Sequence, residues 1–335
     1  MSNELKQAAP TLFPLIISNS TLSSWSNCQL KFYREYCQNY RKAGFNIDLS
    51  AGGQFAKGLE TTRKMYYNDG LEAVEAIEAG YYSVVEGLHA EMKACNAATD
   101  VLKSPERMGL ALKEYFRTFP LESEEVIPAK LEDGTYAIEH KMTVELPIKH
   151  PELGVPLIFK GKLDMFAKHM GRTYIVDEKT TKAITSNTAD LLATSGQFIG
   201  YAWLARELGI CVSGAKIRKI AIQVKANKVE EFEVPITDYQ IDMWYKSMIF
   251  NVNCMVDSYK ATMDGFGGTD FKDYFNPDFQ HGCTSFFRPC QFQDGCKSKY
   301  GESFIESNFT QKCWDSETRT EVSLVEFRKL LGLGD

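Results

Sequence analysis

Apolar positions recur at helical spacing through the first third of the chain and then switch to strand-like alternation. A serine- and threonine-rich start, Ser18-Asn19-Ser20-Thr21, can satisfy free helix N–H groups. It predicts a helix over 20–41 that buries Leu22, Trp25, Leu30, Phe32 and Tyr36. Further helices are predicted over 49–69, around the glycine pair Gly52-Gly53, and over 71–97 and 104–119. From 126 to 149 short alternating strands follow, with a turn at Glu132-Asp133-Gly134. Two apolar strands come next, 156–166 and 173–179, joined by a hairpin turn at His169-Met170-Gly171-Arg172. A helix over 189–208 stops at Gly209. Strands over 215–225 and 229–235 meet at Ala226-Asn227-Lys228. A long helix over 237–263 carries Asp238 in its first turn and is broken by Gly265-Phe266-Gly267-Gly268. A short helix over 320–331 closes the chain.

This order predicts a mixed α/β (α+β) fold: a central mixed sheet with a crossover helix, flanked by helices. Three regions are expected. Residues 1–125 form a helical N-terminal region, 126–263 the core, and 264–335 a cysteine-rich segment that closes one domain together with Cys28.

Composition narrows the class. The 335 residues are 44% hydrophobic and 24% charged, enough for a full globular core. No apolar run reaches membrane-span length, and the stretch around Leu12-Phe13-Pro14-Leu15-Ile16-Ile17 is short and broken by proline. A cytoplasmic protein without a membrane partner is expected. The net charge of −6 argues against non-specific wrapping of nucleic acid, although a groove needs only local positive charge. The run Lys216, Arg218, Lys219, Lys225 and Lys228 is either such a patch or a solvated strand-and-turn face.

The candidate chemistry sits on the hairpin. Gly161-Lys162-Leu163-Asp164 and Asp177-Glu178-Lys179-Thr180-Thr181 bring two carboxylates and an ammonium to one sheet edge. Carboxylates are hard ligands for Mg²⁺ or Mn²⁺. A lysine next to a ligand can hold a phosphate or steady an attacking water. The plain alternative is a pair of solvated acids. Downstream, Gln197 and Tyr201 lie one helical turn apart on one face.

Taken together, these motifs resemble the PD-(D/E)xK nuclease superfamily, in particular its RecB-type exonuclease branch. The resemblance covers roughly residues 18–296 and is specific only at the motifs. It implies a restriction-endonuclease-like core in which Asp164 and Asp177 ligate the metal and the Glu178 carbonyl adds a ligand. Lys179 would position or activate the water, and Gln197, Tyr201, Thr180 and Lys182 would face DNA. There is one departure. The family places a histidine in an N-terminal helix where this chain has Ala56, in Gly52-Gly53-Gln54-Phe55-Ala56-Lys57-Gly58-Leu59-Glu60. Glu60, one turn on, is the candidate third carboxylate; the plain alternative is a surface helix acid.

The cysteine count is nine, and an odd number with no secretion signal argues against a disulfide framework. Cys283, Cys290 and Cys296 cluster in a Phe-, Pro- and Gly-rich segment. Three thiols need a fourth to close a tetrahedral metal site or a four-iron cubane, and Cys28 is the candidate, with Cys313 either a spare thiol or a substitute ligand. One early cysteine and three late ones again resemble iron–sulfur exonucleases of bacterial recombination and of CRISPR adaptation, as does the opening Ser20-x-Leu22-x-x-Trp25-x-x-Cys28. A structural [4Fe–4S] cluster is what that resemblance implies. Zn²⁺ is the rival, though the Cys-x2-Cys knuckle of most zinc ribbons is missing; three unrelated core thiols are the plain alternative.

Three functions follow from these readings. The first is a Mg²⁺- or Mn²⁺-dependent DNA exonuclease acting on single strands or duplex ends, in recombination, repair, phage DNA processing or spacer acquisition. The second is a non-catalytic DNA-binding or assembly subunit that keeps the fold. The third is a nuclease that works with a helicase, recombination or CRISPR-adaptation partner.

Overall fold

A computed structural model of the chain describes residues 11–42, 44–98, 101–263, 270–279, 282–285, 288–315 and 320–333. The helix break expected at 265–268 lies outside them. The chain divides into two compact units: Met1–Ala43 with Val144–Lys160 and Lys246–Asp335, and Gly44–Thr143 with Gly161–Tyr245. Among the described residues, the largest sheet is mixed and seven-stranded.

The second unit holds the acidic hairpin. Strand Pro156–His169, whose second half belongs here, pairs antiparallel with Arg172–Thr181 in the register Met165↔Val176 to His169↔Arg172. Met170 and Gly171 make the tight turn with φ of 48° and 75°, the left-handed pair that a two-residue hairpin requires. Arg172–Thr181 pairs in parallel with Gly214–Ala221, which pairs antiparallel with Lys228–Pro235. A parallel pair needs a crossover, and the helices Thr188–Ala193 and Gly196–Glu207 supply it. The single helix expected over 189–208 is thus two helices, interrupted at Thr194-Ser195.

Three helices, Ile47–Arg63, Ala73–Ala94 and Pro105–Thr118, bury a common core in this unit. Phe55, Leu59, Val84, Leu88, Met108, Leu112 and Tyr115 meet Ile220 and Ile222 of the sheet region. Ser104 caps the third helix and Pro105 opens it, a position where the missing N–H costs nothing.

In the first unit, Ser18 caps helix Asn19–Asn27 through a reciprocal box with Thr21. The helix expected to continue to residue 41 breaks at Cys28, whose backbone is extended (φ −170°, ψ 116°). Cys28 caps the short helix Gln29–Phe32 with its own sulfur, and a π-helical turn, Tyr33–Cys37, follows. Aromatic edges hold this region: Trp25 meets Phe32 at 5.4 Å, and Tyr33 lies 4.5 Å from Phe275. The expected final helix over 320–331 is a strand, Thr320–Ser323, followed by helix Leu324–Leu330, because strand Phe309–Asp315 offers it a ladder. Among the described residues, no helix is long and apolar enough to cross a membrane.

Candidate functional site

The acidic site forms where the hairpin ladder stops. Beyond the pair Met165↔Val176, the Glu178 N–H donates to Asp164 Oδ2 at 2.7 Å. A carboxylate thus replaces a strand carbonyl, and Asp164 and Asp177 come together. Lys179 Nζ lies 2.9 Å from Asp177 Oδ1 and 2.8 Å from Oδ2. Only the Oδ1 contact has hydrogen-bond geometry, so the buried Oδ2 keeps an unfilled acceptor. Gln197 Nε2 reaches Asp177 Oδ1 at 3.5 Å and the Tyr201 hydroxyl at 3.0 Å. Tyr201 in turn donates to the Lys162 carbonyl at 2.8 Å. The crossover helix approaches this closely because Gly161 has no side chain. A Cβ there would lie 2.6 Å from Leu204 and 3.0 Å from the Tyr201 ring.

Electrostatically the site is unfinished. Burial raises the Asp164 carboxyl well above the ordinary carboxylate range, and Asp177 and Glu178 raise it further. Burial also raises Asp177, although Lys179 partly offsets this. Two desolvated acids with one lysine between them form a pair that titrates together. The same arrangement, with an orphaned Asp177 oxygen, suits a divalent cation, whose charge would favour both ionised forms. The donor set is all oxygen, as Mg²⁺ and Mn²⁺ prefer. Cation binding should displace protons from this pair. Mn²⁺ affinity measured by calorimetry is therefore expected to rise with pH above the usual carboxylate range; a pH-independent affinity there would contradict it.

Neighbouring Glu178 does something different, because alternate side chains on a strand face opposite sides. Its side chain is buried and is bonded by Arg63 and by the Tyr115 hydroxyl, the latter at 2.9 Å. Arg63 and Arg218 also donate to that hydroxyl, at 2.7 and 3.0 Å. Burial would raise the Glu178 carboxyl, but Arg63 and Arg218 hold it down at about 2. Sequence reading missed Arg63, Tyr115 and Arg218 as partners, since nothing in their spacing marks them. Arg218 and Lys216 are buried in pairs with Glu124, Glu231 and Glu233. Two of the five cations of the anticipated basic run, Lys216 and Arg218, are therefore neither groove nor solvated face, whereas Lys225 and Lys228 are exposed.

Glu60 lies on helix Ile47–Arg63, one turn before Arg63, and is engaged by Lys64 at 2.6 Å. Glu139, also missed, pairs with Lys162; burial raises its carboxyl, and nearby Glu60 and Glu178 add to that. Ala56 occupies the same helix one turn before Glu60. Thr180 is half-buried and Lys182 is exposed just past the strand end.

In the first unit, Cys28, Cys283, Cys290 and Cys296 line one small cavity with Lys31, Arg34 and Phe292. All are free thiols. The amides of Lys31 and Asp278 both donate to Cys28 Sγ at 3.4 Å. Arg34, 1% exposed, points a nitrogen at Cys296 Sγ (3.5 Å), bonds Glu302 at 2.8 Å and leaves its Nε without a partner. A buried guanidinium and amides aimed at sulfur fit a thiolate-bound group of net negative charge. Among the described residues, however, no three or more His, Cys, Asp or Glu are drawn into ready metal-ligand geometry, at either site.

The model of the PD-(D/E)XK nuclease superfamily matches residues 16–296 of the chain. No curated protein matches it. Among solved structures, a Eubacterium rectale protein named "Putative exonuclease" is 12% identical, with a TM-score of 0.43, over 88% of this chain and 97% of that one. A second, named SSO0001, is 12% identical, with a TM-score of 0.25, over 58% of this chain and 74% of its own.

Proposed function

Because the chain belongs to the PD-(D/E)XK nuclease superfamily, we propose that it is a divalent-metal-dependent DNA exonuclease of the cytoplasm, acting on single strands or duplex ends. The observation that carries this reading is the meeting of Asp164, Asp177 and Lys179 where the hairpin ladder ends. Asp164, Asp177 and the Glu178 carbonyl would hold Mg²⁺ or Mn²⁺, with Glu60 as the third carboxylate in place of the missing histidine. Bound there, the cation supplies a nucleophilic water at neutral pH and stabilises the charge developing on phosphate. Asp177 orients the Lys179 ammonium, and that ammonium steadies the water against the phosphorus. Gln197 fixes Asp177 from the other side, and Tyr201 ties Gln197 to the Lys162 backbone. Gln197, Tyr201, Thr180 and Lys182 lie along the path of the DNA backbone.

Linear and circular DNA separate the modes of cleavage. With Mn²⁺, end-labelled linear strands should lose their label while covalently closed circles stay intact. Nicked circles would overturn the exonuclease assignment.

The four cysteines would carry a structural [4Fe–4S] cluster, with Zn²⁺ the competing occupant. Anaerobically purified protein is expected to be brown, with about four irons per chain, and Cys28→Ser should lose both iron and colour. A colourless protein holding one zinc would refute the cluster. A second reading, a DNA-binding or assembly subunit within a helicase, recombination or spacer-acquisition machine, is favoured by Ala56 alone. It predicts DNA binding without cleavage in any divalent cation.

A further inference from the structure

We propose that Lys219 is a substrate-positioning residue that grips a backbone phosphate of the DNA beside Lys179; this rests on the nuclease reading above. Strand Gly214–Ala221 runs parallel to the strand of the acidic site, with Asp177 opposite Ile217 and Lys179 opposite Lys219. Side chains alternate along both strands, so Asp177, Lys179, Ile217 and Lys219 share one face. The other cations of Gly214–Ala221 face the opposite way and are spent. Lys216 is bound by Glu231 and Glu233, and Arg218 by Glu124 and Glu231. Lys219 differs from them. It is half-buried, and among the described residues its ammonium makes no hydrogen bond or ion pair. The acid directly across the next ladder, Glu230, is taken by Lys228.

A half-buried lysine without a counter-ion, placed beside another lysine, is unfavourable in the free protein. Like charges opposite one another on paired strands repel, and burial alone already lowers the affinity of the Lys219 amine for its proton. Ile217, fully buried, keeps the face dry next to Asp177; the face opens at Lys179 and Lys219, both half-buried. Neighbouring strands are about 4.8 Å apart. Two ammoniums at that spacing suit the non-bridging oxygens of one phosphodiester or of two in succession. Lys179 is already matched by Asp177, so the unmatched anion that completes the face falls to Lys219. Because a phosphate contact carries no base information, the residue should contribute affinity and register rather than sequence preference.

The test is equilibrium binding of a fluorescein-labelled single-stranded oligonucleotide in Ca²⁺, over a series of salt concentrations, with wild-type, Lys219→Met and Lys219→Arg protein. Lys219→Met is expected to weaken binding about tenfold for every sequence tried, roughly the worth of one charged hydrogen bond. The slope of log affinity against log salt should shrink by about 1. In Mn²⁺ the loss should fall on KM rather than kcat, and Lys219→Arg should restore most of it. The thermal midpoint of Lys219→Met should be equal to or above that of wild type, since an unpaired cation has gone. Unchanged affinity and slope in Lys219→Met, alongside a wild type that binds and cleaves, would overturn the role of Lys219 alone. A wild type that neither binds nor cleaves DNA would overturn the nuclease reading with it.

Discussion

Glu178→Ala is expected to destabilise the folded protein by about 3–5 kcal/mol, the usual cost of leaving a buried charge without its partner. Arg63, 4% exposed, and Arg218, 2% exposed, would both face the space left by the carboxylate. The Tyr115 hydroxyl would lose its acceptor while still receiving two guanidinium donors. For a chain of this size the thermal midpoint should drop by roughly 10 °C. Glu178→Gln should lose less, because it keeps an acceptor for Arg63. The same network gives a pH signature. The Glu178 carboxyl is held at about 2 in the folded protein, below its unfolded value of about 4. Its stabilisation is therefore complete above about pH 4 and lost as pH falls toward 2. Chemical denaturation of wild type and Glu178→Gln across that range measures it. Parallel pH curves for the two would contradict the network.

One residue away, the opposite is expected. Asp177→Asn and Asp164→Asn should leave the metal-free protein as stable as wild type or more so, while lowering cleavage by about 10³-fold, the order seen when a group central to acid–base or charge stabilisation is removed. Burial raises both acids in the folded state. Such groups stabilise the fold only while protonated, and that contribution disappears as pH rises through their raised values. At neutral pH the pair is therefore a strain that a cation would relieve and that an amide removes. Added Mn²⁺ should raise the wild-type melting temperature and leave that of Asp177→Asn unchanged. Equal shifts in both proteins would place the cation elsewhere. A loss of stability in Asp177→Asn would mean that Asp177 serves the fold rather than the reaction.

The contrast between Asp177 and Glu178 marks what a sequence can and cannot carry. The turn residues Met170 and Gly171 predicted the hairpin that aligns Asp177 with Asp164, and strand alternation accounts for the parting of the Asp177 and Glu178 side chains to opposite faces. Local rules suffice there, because strand period and turn chemistry act over a few residues. The same holds for the Ser18 cap and for the Gln197–Tyr201 pair one helical turn apart. What lay beyond reach was long-range pairing. Arg63, Tyr115 and Arg218 come from three distant segments to enclose Glu178, and none carries a local signature. Within the basic run from Lys216 to Lys228, Lys216 and Arg218 read as part of a groove patch or a solvated face because their acids, Glu124, Glu231 and Glu233, lie outside the run in sequence. The first helix was expected to run through Cys28, since its apolar spacing continues. An extended residue there instead turns the thiol toward backbone amides. Helical periodicity cannot register a side chain that acts as its own cap.

The site reading stands or falls on cleavage by matched proteins. Wild type, Asp177→Asn and Lys179→Ala, purified identically, should be incubated with end-labelled single-stranded DNA in Mn²⁺ and again with the metal chelated. Release of labelled nucleotides by wild type alone, abolished by chelation, is the predicted result. Equal cleavage by all three proteins, or by wild type with the metal removed, would contradict it.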